Sequence, residues 1–179
     1  MGLFSKKQTV VSVAFRELSE PPPKNELRST YRYVSTLTPA PVVGDRLMVR
    51  GSDGKLAPVI VVAVEVTKAT DGLAPVERAV TAEELDQATQ KAAKDLDTWF
   101  RMARRSAGLS VSGRLPGKPP GDLPEIPPAD GEASREDADA WGRGWYRIWK
   151  LAEEHGRGAE EIAAFKSKAY RWFAVRDRS

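Results

Sequence analysis

Two stretches near the start of the chain are dense in β-branched and aromatic side chains, "QTVVSVAF" at residues 8–15 and "STYRYVS" at 29–35. Both predict strands that bury one face. Pro21, Pro22 and Pro23 lie between them and predict a stiff connection rather than a tight hairpin. The next unit, "PAPVVGDRLMVRGSDGKLAPVIVVAVEV", predicts a turn at Gly44 and Asp45, a strand over Leu47 to Arg50, a hairpin loop around Ser52 to Lys55, and a long strand from Val59 to Val66. A fifth short strand falls around Val76 to Val80. Residues 1–80 are therefore read as a small β-barrel, because closing so short and valine-rich a sheet removes its exposed edges. An open, strongly bent sheet is the alternative.

From Thr81 the period changes from two to that of a helix. "TAEE" has the capping-box spacing, Thr81 with Glu84, and Leu85, Ala88, Ala92, Leu96, Trp99 and Ala103 recur on one face. This predicts a long helix over 81–107, ending near Gly108 and making its deeper contact at the Trp99/Phe100 end. Residues 108–133 hold Pro116, Pro119, Pro120, Pro124, Pro127 and Pro128 with several glycines. They read as a linker, either a flexible tether or an extended segment laid over a surface. "PGKP" and "PEIP" have the spacing of SH3 ligands, but the linker reading is preferred.

Over 134–179 the pattern predicts a helical hairpin. Ser134 caps a helix through Trp141, Trp145, Ile148, Trp149 and Ala152, which stops at Gly156, and a last helix runs from about Ala159 to Arg176. The short "HGRG" connection makes the two antiparallel. Gly142 and Gly144 each cost about 1 kcal/mol inside a helix, so either the helix restarts there or a neighbour packs closely. The fold class expected is α+β: a barrel, a long helix that packs on the barrel or leaves it, a Pro/Gly linker and a hairpin.

Composition narrows the chemistry. The 179 residues are 41% hydrophobic, which suits two modest cores better than one dense one. Without cysteine there is no disulfide, thiolate nucleophile or thiolate metal site, and a reducing compartment, the cytoplasm, is expected; a virion is the expected location if the chain is phage-encoded. The apolar run near the start is too short for a membrane span, so a soluble chain is expected. Gly2 lacks the Ser or Thr at position six that myristoylation prefers, since Lys6 stands there.

The only histidine, His155, falls at a helix end, where a cation complements the macrodipole. No GxSxG elbow, phosphate-binding GxxxxGK[ST] loop or HExxH helix is present. Glu136, Asp137 and Asp139 read as a charged first helical turn rather than a metal site, and the Gly-Arg-Gly triplets follow no strand. No cofactor and no enzymatic activity are expected.

Charge is uneven. The formal net charge is +3 over residues 1–80, −4 over 81–140 and +4 over 141–179. The last segment places Trp145, Tyr146, Trp149, Tyr170 and Trp172 among Arg143, Arg147, Lys150, Lys166, Lys168, Arg171, Arg176 and Arg178. Rings can stack on unpaired bases while cations follow phosphates. Trp141, Trp145 and Trp149 also sit at i, i+4 and i+8, the stripe of a helical core or protein interface, and that reading is preferred.

The order "TVVSVAF", "YRYV", "VVGDRLMV", "VIVVAVEV" over about 75 residues resembles the 3′-end DNA-binding domain of primosomal helicases of the PriA family, and more broadly SH3-like small barrels. The chain departs from that family at Arg32, where an acidic residue is common, and at "RGSDGK", which replaces "PFG". The resemblance implies the barrel topology and makes DNA-end binding an expectation to examine at Tyr31, Arg32, Gly44, Asp45, Arg46 and Lys55.

The functional expectation is a non-enzymatic macromolecular binding module. Its candidate contact residues are Tyr31, Arg32, Arg46, Lys55, Arg143, Trp145, Arg147, Trp149, Lys168, Arg171 and Trp172. A protein partner or a homo-oligomer is expected, with nucleic acid as a further candidate and no membrane. The alternative is a phage or mobile-element assembly protein that docks on neighbouring subunits through the linker and the Trp-bearing helices.

Overall fold

The computed structural model describes residues 7–23 and 29–178, so Gly2 and Lys6 lie outside the described residues. Five strands are formed: β1 (Gln8–Phe15), β2 (Tyr31–Ser35), β3 (Arg46–Arg50), β4 (Leu56–Thr67) and β5 (Ala74–Ala79). Three helices follow, α1 (Ala82–Ser106), α2 (Arg135–Glu154) and α3 (Ala159–Arg176). The chain divides into two compact units, Met1–Lys91 and Ala92–Ser179. The fold is α+β, with a closed barrel in the first unit.

Closure runs in the order β1-β2-β5-β3-β4, with β4 returning to β1. All pairs are antiparallel except β2 with β5, which meet over only Tyr33↔Ala74 and Val34↔Pro75. β4 can serve two neighbours because it is long and bent. Ser12 pairs with Ala63 but Val13 with Val61, so Val62 is an extra residue, and such a bulge increases local twist. Val11, Val13, Tyr33, Leu47, Val49, Val59, Val61 and Val76 fill the interior. The expected turns form as read: the Asp45 amide donates to the Val42 carbonyl, the Val42 amide donates to the Asp45 carboxylate, and Gly44 takes a positive φ of 98°.

The helix start at Thr81 is a complete capping box. The Glu84 amide donates to Thr81 Oγ1 at 3.1 Å, and the Thr81 amide donates back to Glu84 Oε2 at 2.9 Å. Arg78 grips the same carboxylate with both terminal nitrogens at 2.7 Å. These ion-pair and backbone hydrogen bonds hold the Glu84 carboxyl down from its ordinary 4.5 to about 2. Only the far end of α1 is buried, at Trp99, Phe100 and Ala103.

The core of the second unit is aromatic. Trp99, Phe100, Trp145, Ile148, Trp149, Phe165 and Trp172 form it with four alanines, from α1, α2 and α3. α2 starts as expected at Ser134, whose Oγ accepts from the Asp137 amide at 3.1 Å. α1 and α2 both end at glycines of positive φ, Gly108 and Gly156, with the residue after each glycine donating five positions back. α2 runs unbroken through Gly142 and Gly144, and close packing is the reason for both. A Cβ on Gly142 would lie 2.6 Å from the Phe173 ring, and one on Gly144 would lie 2.4 Å from Pro127 Cγ.

Pro127 belongs to the segment read as a linker. Of the two forms allowed for it, the structure has the laid-down one: Leu123, Ile126 and Ala129 pack against the aromatic core. No helix of the described residues is long and apolar enough to cross a membrane.

Candidate interaction surfaces

On the barrel, the four candidate side chains do not converge on one anion-binding surface. Arg32 points to the outer face, because its strand neighbours Tyr31 and Tyr33 follow the interior alternation. There it forms an ion pair with Glu65 across β1. Arg46 donates to the carbonyls of Glu17 and Glu20 and pins the turn after β1. Lys55 is exposed in the β3–β4 loop beside Asp53, at 3.8 Å. Tyr31 is exposed and meets Phe15 edge to face at 5.1 Å. Val11, Val13 and Tyr33 face inward, so alternation puts Phe15 and Tyr31 on the interior side at one mouth of the barrel. Two of the three cations are thus committed to structure.

On the helices, Trp145 and Trp172 are 0% and 1% exposed, so neither ring is available to stack on a base. Their indole N–H groups both donate to the Pro128 carbonyl, at 2.8 and 2.7 Å. These two candidate contact residues are therefore core rather than surface, and the preferred reading of the stripe Trp141, Trp145 and Trp149 holds: it packs with Ile148, Phe165 and Trp172 in one aromatic core. Arg143 pairs with Asp139 at 2.8 Å, and Arg171 lies 3.6 Å from Asp130. Arg147 is exposed and Lys168 half-buried.

Trp149 sits at the edge of the core and leads to a surface cluster. Tyr146 meets it edge to face at 5.3 Å and Tyr170 lies at 6.2 Å, with the two tyrosines 43% and 56% exposed. Lys150 lies 4.5 Å and Lys166 5.0 Å from the centre of the Trp149 ring. Glu153 closes the group, accepting from Trp149 Nε1 at 2.7 Å and from Lys150 Nζ at 2.8 Å. Those two hydrogen bonds hold its carboxyl below the ordinary value, and the ion pair raises that of Lys150.

Tyr146, Tyr170, Lys150 and Lys166 were not singled out as contact residues from sequence. The signal was present: Tyr146 follows buried Trp145 and Tyr170 follows buried Ala169, one position round from the core stripe. For Phe15 the sequence pattern shows only a strand position.

No group of three or more His, Cys, Asp or Glu among the described residues is placed to hold a metal ion. No protein-family model matches the chain, and no match is found to a curated protein or a solved structure.

Proposed function

We propose that this chain is a non-catalytic binding module that engages an acidic surface of a partner protein through the outer face of α2 and α3. The observation that carries the reading is the exposed pair Tyr146 and Tyr170, braced on Trp149 and flanked by Lys150 and Lys166. Tyrosine and tryptophan backed by a rigid core lose little side-chain freedom on contact, which is why such groups dominate binding energy at interfaces. The chain's lack of cysteine and its one histidine, spent at the α2 terminus, support a non-catalytic role. A cytoplasmic setting suits a cysteine-free chain.

Nucleic acid is the less favoured partner, because Trp145 and Trp172 are buried and Arg32 and Arg46 are engaged within the barrel. An assembly role would use the same tyrosine face, since residues 123–129 lie against this chain's own helices.

A photo-crosslinking phenylalanine analogue at position 146 or 170, introduced into the full chain in its native cells, tests the reading. Discrete adducts that resist nuclease and yield to protease are expected, with none from a control at position 114. Nuclease-sensitive adducts, or none, contradict it.

A further inference from the structure

Three indole N–H groups converge on one short run of chain. Trp99 donates to the Pro124 carbonyl at 2.7 Å, and Trp145 and Trp172 share the Pro128 carbonyl. The Ser106 hydroxyl donates to the Pro127 carbonyl at 3.4 Å. Leu123 and Ile126 set their side chains against the aromatic core, and Gly144 leaves room for the Pro127 ring. The strap contributes almost no backbone hydrogen bonding of its own: within 122–130 a single backbone pair occurs, Leu123 to Pro120 at 3.4 Å. Its attachment therefore consists of apolar contacts and of side-chain donors meeting carbonyls.

A proline-rich segment suits that mode of attachment. Proline has a carbonyl but no N–H, and an extended proline run makes no internal hydrogen bonds, so its carbonyls are free to be read from outside. Aromatic-lined grooves capture proline-rich peptides of other chains on this basis. Here the groove and the peptide are on one chain. Simple departure of the strap would expose Leu123, Ile126 and the aromatic face they cover to water, which is costly, whereas exchange for a similar peptide replaces each apolar contact and each carbonyl one for one.

We propose that the Trp99, Trp145 and Trp172 face is a peptide-recognition site, occupied in cis by residues 122–130, whose ligand in trans is an extended segment of a partner protein with the same Leu-Pro-x-Ile-Pro-Pro pattern. The tethered strap competes at an effective concentration of order millimolar, so the site is held closed against weak ligands. This site shares no contact residue with the Tyr146 and Tyr170 face, so either can fail without the other.

The test uses the full chain with Leu123→Ser and Ile126→Ser, which weaken the strap and leave the indoles in place. Fluorescein-labelled peptide of residues 121–131 is titrated by anisotropy. The variant is expected to remain folded by circular dichroism and to bind the peptide saturably, about tenfold or more tighter than the unaltered chain does. Adding Gly144→Ala to the variant should weaken binding about tenfold, and a peptide with both Ser replacements should not bind. A folded variant that ignores the peptide, or equal binding by the unaltered chain, overturns the proposal. So does a variant that fails to fold, because the strap is then an inseparable part of the core.

Discussion

At Glu161 the chain buries a carboxylate to 3% exposure and keeps it charged. Arg157 reaches both oxygens, from Nε at 2.9 Å and Nη2 at 3.1 Å, and Arg104 Nη1 lies 3.2 Å away. Burial opposes ionisation, but the two guanidinium groups outweigh it and the carboxyl titrates below the ordinary glutamate value. A depressed folded value means the stabilisation is complete above the unfolded value and is lost as pH falls toward the folded one. Glu161→Gln is expected to cost about 3 kcal/mol, the low end for a broken buried pair, since Asp97 and Glu160 remain for the arginines. Denaturant unfolding at pH 7 and pH 4 should find the variant's deficit smaller at the lower pH; an undiminished deficit counts against this account. Gly142 and Gly144 give a test by sign. Gly→Ala in an open helix stabilises by about 1 kcal/mol, whereas contacts of 2.6 and 2.4 Å should turn each replacement into a net loss of about 1–3 kcal/mol. The sequence leaves a helix restart and a close neighbour as alternatives at these glycines, and it does not name the neighbours. Those lie on α3 and the strap, and local pattern carries no information about so distant a pairing.

At the scale of elements, the strands and helices were legible wherever periodicity and termini agreed. "TAEE" and Ser134 mark the starts of α1 and α2 because both signals are local, a side chain bonding an amide three residues on. Thr81→Ala is expected to lower stability by about 1 kcal/mol. The Glu84 carboxyl, at about 2, adds a pH dependence of the same sign as that of Glu161: its contribution is present above 4.5 and fades as pH falls toward about 2. Thermal unfolding of Glu84→Gln should show a flatter midpoint between pH 4.5 and 2.5, and an unchanged profile would contradict the Arg78 pairing. The strap was the element least legible. Pro- and Gly-rich composition is the same for a free tether and a fixed one, and what fixes it is three indoles 17 to 44 residues away in sequence. The surface cluster was half legible: its rings and cations stand together in the sequence, but only the helical phase separates buried Trp145 and Trp172 from exposed Tyr146 and Tyr170.

For the molecule as a whole, each unit solves the problem of a small core differently. The barrel closes its sheet with a bent twelve-residue β4, so that eight interior residues, mostly valines, need no second layer. The helical unit concentrates all five tryptophans of the chain in and around one core, then caps three of them with carbonyls from a segment that has no regular structure. Buried indole donors require such partners, so the three tryptophans need a carbonyl-bearing segment laid over them. The most direct measurement is hydrogen exchange at the five indole N–H groups, followed by NMR on the intact chain. The Trp99, Trp145 and Trp172 resonances should exchange slowly and become fast when Leu123 and Ile126 are both replaced by serine. Fast exchange at these three sites in the unaltered chain would contradict the capped core.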